Sequence, residues 1–432
     1  METSLNRCLE ATGANFGRAS ARFGPWAGAE ERAEEEAAAP VYRSAKPPSS
    51  DMPRLTRGFS VHVPWLGRIS GGTSAQKRLQ TLAVFSFSLY GLLPLIAISW
   101  FVVLLCLINP LTLPFILGYL YFVFVADKAP TAGSRAPFLR QLTTWWHAYC
   151  DYFPMLLVKT AEYVLGYHPH GIISVGAFGA FATDGARTLS LVASGAQPRE
   201  GRGFSSLFPG IERRLVTLPI NFTVPFGREY ILSMGACTSD KATFRSVLGR
   251  GSGSAVVVVV GGAEESTMVT PGQIDLVLER RKGFVREAIM AGASLVPVLA
   301  FGENDLYAVF HTDDTHPIAR LQRVVRRHFG VALPLFRGRS MFITEFGLMP
   351  NRKPIAIVVG GPLAPPPLDD ARRAAFRPKW GPDDAPSNDD ARMVDAMHTE
   401  YVDALSALYE AHKEQPWNLA GINRQGTFRV LK

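Results

Sequence analysis

Cysteine is scarce in this sequence, and no two cysteines lie close together. The 432 residues hold four, Cys8, Cys106, Cys150 and Cys237. There is no C-x-x-C, so neither a disulfide framework, thiol redox chemistry nor a cysteine zinc site is expected. A reducing, cytosolic setting fits such a chain. Charge is scarce too. Asp, Glu, Lys and Arg make up 19% of residues, against roughly 25% in a typical soluble domain. The 45 Lys+Arg and 37 Asp+Glu differ by 45 − 37, a net charge of +8. That composition argues against overall disorder and against a highly charged nucleic-acid binder, so no nucleic-acid partner is expected. Several catalytic signatures are also missing. Without G-x-S-x-G there is no nucleophile elbow, and without H-E-x-x-H no zinc-protease helix. Gly249–Gly253 is glycine-rich but precedes a strand, whereas a dinucleotide-binding turn follows one. No internal repeat is present.

The strongest local absence runs from Leu79 to Ala126. These 48 residues contain no Asp, Glu, Lys, Arg or His. A membrane-spanning helix takes about 20 apolar residues, so the run has room for two. Asn109-Pro110, with Pro114 close by, marks a turn between them. Arg43 to Arg78 holds seven basic residues and only Asp51 as acid, and Lys128, Arg135 and Arg140 follow the run. Basic flanks stay on the cytosolic side. The expectation is therefore a transmembrane helical hairpin over residues 78–127 with both ends cytosolic. Its second arm, around Phe115 to Val125, is short enough to be re-entrant. Residues 1–77 are rich in Ala, Gly, Ser and Pro and carry Glu30, Glu31, Glu34, Glu35 and Glu36. They read as a disordered tail. Arg7, Arg18 and Arg22 suit a transit peptide, but Glu2 and Glu10 argue against one.

From residue 128 onward the pattern becomes α/β, with a mostly parallel sheet. Strands are expected at Glu162–Tyr167, Ala255–Val260, Leu295–Ala300 and Ile355–Val359. An apolar helix over Ile172–Thr183, interrupted by Gly176 and Gly179, follows the first. The second is followed by a helix over Arg280–Gly292, with Phe284, Val285, Ala288 and Ile289 on one face. Strand, helix, strand makes a βαβ unit. Pro365–Asp390 reads as a surface loop. Met393–Lys413 reads as an amphipathic helix with Ala396, Val402, Leu405 and Leu408 inward.

Two segments are suited to chemistry. His168-Pro169-His170-Gly171 follows a strand, and open α/β sheets collect functional side chains at the carboxyl ends of strands. An imidazole projected from that turn is a candidate general base. An H-x-H metal pair, two turn-capping histidines and two incidental surface histidines are the other readings. No third ligand is obvious nearby, so no metal is expected. Val260-Gly261-Gly262-Ala263-Glu264-Glu265-Ser266 also follows a buried strand, and sets carboxylates beside small residues.

These residues resemble the type-2 diacylglycerol acyltransferase family. The resemblance starts at Tyr152-Phe153-Pro154 and covers about the last two-thirds of the chain. It is carried by His168-Pro169-His170-Gly171, by Pro225 through Gly227-Arg228-Glu229-Tyr230 to Gly235, and by Gly261-Gly262 with Glu265-Ser266. Arg281-Lys282-Gly283-Phe284, Leu295-Val296-Pro297-Val298, Phe301-Gly302-Glu303-Asn304 and Tyr307 complete it. The resemblance implies a membrane-anchored α/β acyltransferase, with residues 128–432 as its cytosolic catalytic domain. It implies transfer of a fatty acyl group from acyl-CoA to diacylglycerol at the endoplasmic reticulum membrane or lipid droplets, with acyl-CoA as co-substrate and no cofactor. Monoacylglycerol or a fatty alcohol as acceptor, and an inactive lipid-binding protein, remain open, as does self-association. One of His168 and His170 becomes the candidate base, with His170 favoured, and the other its orienter or an oxyanion donor, with Glu265 stabilising the imidazolium. Pro169, Gly171, Gly261, Gly262, Gly302, Glu303 and Asn304 are motif positions. Arg280, Arg281 and Lys282 are candidate contacts for CoA phosphates.

The chain departs from the family pattern at Glu264, where a small residue is usual, which makes Glu265 the carried-over carboxylate. Thr188–Phe204 and Asp369–Arg392 read as extra loop length. The Asp found five residues after the catalytic His in related glycerolipid acyltransferases is missing here, since Ile173 and Val175 fill those positions. Asp184 is too far along the chain to serve.

Overall fold

The structure is a computed structural model. It describes residues 74–91, 93–159, 165–190, 200–251, 253–310, 316–329, 334–341, 347–381, 385–415, 418 and 427–431. The chain divides into two units, Met1–Arg54 and Leu55–Lys432, and every described residue lies in the second. The expected tail thus falls outside the described residues, apart from 74–77, which open a helix.

A nine-stranded mixed sheet organises the domain. In chain order the strands are β1 (Met155–Lys159), β2 (Leu165–His168), β3 (Arg187–Ser190), β4 (Glu200–Arg202), β5 (Glu212–Thr217), β6 (Cys237–Thr238), β7 (Ser254–Val259), β8 (Ile274–Val277), β9 (Val296–Phe301), β10 (Ala308–Phe310), β11 (Leu335–Arg337), β12 (Ile355–Val359) and β13 (Phe428–Leu431). The sheet order is β4-β3-β1-β12-β9-β2-β7-β5-β6, while β10-β11 and β13-β8 form separate ribbons. Only β3–β4 and β9–β12 pair antiparallel within the large sheet. β2 lies between β7 and β9, parallel to both, so its carboxyl end falls at the centre of the sheet.

The strand sequences explain this placement. Successive side chains point to opposite faces, and both sets are apolar. Met155, Leu157, Ile355 and Ile357 enter one core, whereas Leu156, Val158, Ala356 and Val358 enter the other. Strands apolar on both faces must be covered on both. The helices that do this, together with the smaller ones around them, are α1 (Ser74–Gly91), α2 (Leu93–Ile108), α3 (Leu113–Tyr121), α4 (Thr143–Tyr152), α5 (Lys241–Leu248), α6 (Gly262–Ser266), α7 (Gly283–Ala291), α8 (Pro317–Phe329) and α9 (Asp389–His412). Side chains of α1 and α4 pack into the first core, and those of α7 and α9 into the second.

Several boundaries differ from the sequence reading. Where one apolar helix was expected after the histidine turn, a short helix at Val175–Ala177 runs into a π-helical turn at Phe178–Ala182. Thr188–Phe204 is not a plain loop insertion, because β3 and β4 pair across it and extend the sheet edge. Asp369–Arg392 contains a short helix at Asp370–Ala375 and the start of α9. Within α9, Ala396 faces solvent, and Val394, Met397 and Tyr401 are buried with Leu405 and Leu408.

The uncharged run is also divided differently. Its first part belongs to the domain: Ala83 and Val84 of α1 are fully buried. The Phe87 ring stands edge-on to Tyr149 at 5.3 Å and lies 4.4 Å from Phe178. Only α2 and α3, the latter prolonged by a π-helical turn at Phe122–Ala126, remain to form a hairpin. The expected turn lies between them, with Leu111 N–H donating to Asn109 Oδ1 at 2.9 Å and Thr112 Oγ1 to the Cys106 carbonyl at 2.7 Å. Among the described residues, no helix is long and apolar enough to cross a membrane. The 16 residues of α2 rise about 24 Å at 1.5 Å per residue, less than the roughly 30 Å of a bilayer core. Among the described residues of 78–127, α1 packs into the domain core, and neither α2 nor α3 is long enough for a full pass.

The foot of this hairpin is clamped to the domain. Arg228, 1% exposed, pairs with Asp127 at 2.8 Å and donates to the Val123 carbonyl. Asp127 also pairs with Arg135, at 2.7 Å. The Tyr119 hydroxyl accepts the Phe226 N–H at 2.7 Å, and the two rings stack. Since α1 is part of the core, Phe87→Ala is expected to cost the domain about 3–5 kcal/mol, the usual range for a deleted core Phe. Denaturant unfolding of the detergent-solubilised protein measures this, and an unchanged midpoint would detach α1 from the domain.

Candidate active site

The histidine turn begins on the last residue of β2. His168 is fully buried. Its Nε2 lies 3.0 Å from the Tyr401 hydroxyl. That hydroxyl spends its single proton on the Gly166 carbonyl, also at 3.0 Å. Nε2 must then be the donor to Tyr401, which leaves Nδ1 carrying the lone pair. Among the described residues, Nδ1 has no hydrogen-bond partner. Burial, with the neighbouring His398 as a smaller cause, pushes the His168 pKa down to about 3. His168 is thus a neutral, locked ring.

The His168–Pro169 peptide is cis, and the chain emerges at His170. His170 is only partly buried. Its Nδ1 lies 3.0 Å from the Gly171 carbonyl. A carbonyl can only accept, so Nδ1 holds the proton and Nε2 keeps its lone pair. Burial lowers the His170 pKa below its ordinary 6.5, partly offset by that hydrogen bond. A neutral ring with one nitrogen fixed by a carbonyl is the form a general base needs.

Two buried carboxyl groups flank the turn. Glu265, from α6, is 2% exposed. Its Oε1 accepts the backbone N–H of His170, and its Oε2 accepts that of Val277 at 3.1 Å. This corrects the expected role. Both oxygens hold backbone, and the ring of His170 is oriented by Gly171 instead. Gly261 makes the approach possible, since a Cβ there would lie 1.9 Å from Glu265 Oε2. Gly262 opens α6.

Glu303 approaches from the other side, just after β9 and Gly302. Its Oε2 accepts the Tyr167 hydroxyl at 2.7 Å and the Gly176 N–H at 2.9 Å. It also fills the space beside Gly171, whose φ is +60° and whose Cβ would meet Glu303 Cγ at 2.8 Å. Position 171 therefore needs glycine on two counts. Asn304 donates to the Gln273 carbonyl at 2.8 Å, and Asp305 accepts the Gly272 N–H at 2.7 Å. These bonds tie the 272–273 turn to the end of β9.

Burial is the main cause that raises both Glu265 and Glu303 from 4.5 to about 7. With folded values above the unfolded ones, their contribution to stability is full below about 4.5 and is lost as pH rises through about 7.

The three cations at the start of α7 are already paired. Arg280 and Arg281 contact Glu264 at 2.5 and 3.1 Å, and Lys282 contacts Asp395 at 2.9 Å. Asp184 pairs with Arg213 at 2.8 Å and is engaged away from the histidine turn. Among the described residues, no cluster of three or more His, Cys, Asp or Glu is arranged to hold a metal. Sequence reasoning missed Tyr401 and Tyr167. Tyr401 stood next to a named inward position, Val402, but nothing in the sequence linked it to a histidine 233 residues away.

The diacylglycerol acyltransferase family model matches residues 104–374. Diacylglycerol O-acyltransferase 2A of Umbelopsis ramanniana is 35% identical over 347 residues, which cover 78% of this chain and 87% of that protein. Diacylglycerol O-acyltransferase 1 of Schizosaccharomyces pombe is 36% identical over 342 residues, 78% of this chain and 88% of its own. The 2-acylglycerol O-acyltransferase 1 of Bos taurus is 35% identical over 346 residues, 78% and 92% of the two chains. No solved structure matches significantly. The chain belongs to the diacylglycerol acyltransferase family.

Two predictions follow from the hydrogen bonds. Tyr401→Phe strands the His168 Nε2–H and the Gly166 carbonyl, and should cost about 1–3 kcal/mol of stability, read by denaturant unfolding. Glu265→Gln replaces an acceptor with an NH2 that must face an N–H donor, and should lower turnover at least ~10-fold. Glu264→Gln removes only partly exposed ion pairs, each worth up to about 1 kcal/mol, and should leave turnover near that of the parent. Steady-state kinetics of the two purified variants make the comparison, and equal values would remove Glu265 from the site.

Proposed function

We propose that this protein transfers a fatty acyl group from acyl-CoA to the free hydroxyl of diacylglycerol, giving triacylglycerol and CoA. The observation that carries the reading is the neutral His170 ring, held by Gly171 on a turn braced by two buried carboxyl groups, in a chain of this family. Nε2 takes the hydroxyl proton as the alcohol oxygen attacks the thioester carbon. Backbone N–H groups beside Gly171 steady the oxyanion. The C–S bond then breaks, and CoA leaves as a thiolate, a good leaving group since a thiol pKa is about 8.5. The imidazolium returns its proton to that sulfur, so no cofactor beyond the acyl-CoA co-substrate is used. His168 is too deeply buried to meet a substrate, and serves by anchoring the turn.

CoA phosphates are assigned to Arg280 and Arg281, which are partly exposed and would exchange Glu264 for phosphate. Lys282 is the weaker member of that set, being held by Asp395. The α2–α3 hairpin is assigned to the membrane. Phe101, Ile108, Leu111 and Phe115 are 60%, 79%, 81% and 78% exposed. A hairpin too short for a full pass can still bury such a tip from one side, with both ends cytosolic. The endoplasmic reticulum membrane and lipid droplets are the proposed surfaces. The bovine relative named for a 2-acylglycerol substrate keeps monoacylglycerol as a second acceptor.

Labelled acyl-CoA offered with diacylglycerol, monoacylglycerol or a fatty alcohol tests the reading. Triacylglycerol is the expected main product, a different ester would change the acceptor, and no product at all would favour a lipid-binding role. His170→Ala should lower the rate by roughly 10²–10⁴-fold, more than His168→Ala does at matched folded protein. On its acid limb, the parent's kcat/KM should hold until pH drops below 6.5, because burial keeps His170 neutral above that value. Near-normal synthesis by His170→Ala would exclude it as the base.

A further inference from the structure

Helix α8 turns its apolar stripe away from the protein. Ile318, Leu321 and Val324 are 38%, 56% and 49% exposed, whereas Ala319 is buried. At 100° per residue the three exposed residues form one stripe, centred nearly opposite Ala319. A helix that completes a soluble core does the reverse and faces its stripe inward. The 13-residue sequence also carries four arginines, Arg320, Arg323, Arg326 and Arg327, and no acidic residue. Arg320 and Arg323 fall outside the apolar stripe. A short helix with an outward apolar stripe, arginine as its only charged residue type and no acid matches a membrane interface, where the stripe enters the acyl boundary and the arginines meet anionic headgroups.

The place of α8 in the fold supports that occupant. The helix lies in the chain between β10 and β11, which pair with each other. Val309 and Phe336 of that ribbon pack against the same core as Leu79 and Phe85 of α1, the helix that leads into the apolar hairpin. The ribbon also presents an exposed Phe310. On the sheet's other face the core is covered by α7 and α9 instead.

We propose that α8 is a second membrane contact, lying in the plane of an anionic phospholipid surface with Ile318, Leu321 and Val324 in the headgroup–acyl boundary. The proposal extends the membrane reading of the hairpin. Its consequence is that the enzyme is held at two points, which fixes the orientation of the domain on the membrane.

The test places an environment-sensitive nitrobenzoxadiazole label on one accessible cysteine at a time in the full chain, in a Cys8→Ser, Cys106→Ser background that keeps only the buried Cys150 and Cys237. Leu321→Cys reports on α8, Leu111→Cys on the hairpin tip, and Arg320→Cys on the polar edge. The protein is reconstituted into phosphatidylcholine vesicles with or without phosphatidylserine. Labels at 321 and 111 should both shift to the blue and be quenched by nitroxide-bearing acyl chains, while the label at 320 should not. The shift at 321 should need phosphatidylserine and weaken with salt. Arg320→Gln and Arg323→Gln, combined with the 321 label, should each weaken the phosphatidylserine-dependent step about fivefold. A label at 321 that stays aqueous while the label at 111 enters would overturn the inference and leave the hairpin reading intact. If neither enters, both readings fail. A blue shift at 321 that depends on protein concentration and not on lipid would show a second copy of the chain covering the stripe, and would also overturn it. All three positions are exposed, so failure to fold does not confound the result.

Discussion

The turn at the end of β2 depends on one buried carboxyl group. Glu265 accepts two backbone N–H groups, from His170 and from Val277, and so joins the histidine turn to β8. Burying a carboxyl without partners costs several kcal/mol. Here the two N–H groups offset part of that, and the remaining cost is visible as a pKa pushed up to about 7. The same bond explains the neighbouring sequence. Gly261 is small because Glu265 passes over it, and α6, one short turn, carries this side chain.

Around that bond the site is assembled from separate parts of the chain. Tyr401 comes from the C-terminal helix and fixes the tautomer of His168. Glu303 comes from the end of β9 and blocks any side chain at Gly171. Tyr167 links Glu303 back to β2. His168 and His170, two residues apart, meet different environments as a result. One is sealed under α9 and has lost its basicity to burial. The other stands at the edge with an oriented ring. Their chemical difference comes from what packs on each, since the residues are identical.

Apolar surface is divided by the same logic. α1 buries Ala83, Val84 and Phe87 in the domain core, whereas the following hairpin leaves most of its large apolar residues exposed. The Arg228–Asp127–Arg135 ion pairs sit at the boundary between the two. Arg228 is 1% exposed and Asp127 9%, so the pair is screened little by solvent. Its position lets the hairpin be apolar to its foot while remaining attached to the domain in one orientation.

Much of this was legible in the sequence, for definite reasons. The valine run in Ala255–Val260 reads as a strand covered on both faces, and the strand is Ser254–Val259, with Ala255, Val256 and Val257 buried and Val258 and Val259 partly so. Ile355–Val359 was readable as an unbroken apolar run, and the apolar face of Gly283–Ala291 from its helical periodicity. His168-Pro169-His170-Gly171 and Gly261 through Ser266 stood out because both follow such strands. What hydropathy could not decide was where the apolar run from Leu79 to Ala126 spends its surface. A core and a bilayer reward the same residues, so only the packing of Phe87 on Tyr149 and Phe178 assigns α1 to the domain. Nor could spacing say which histidine keeps a usable lone pair, or that Glu265 grips backbone. Hydrogen-bond partners such as Tyr401 and Glu303 are more than 130 residues from the turn in the chain, and they reach it only because β2, β9 and α9 are packed together. Local sequence determined most elements and the candidate residues; the tertiary structure decided their protonation and their partners, because burial and long-range hydrogen bonds set both.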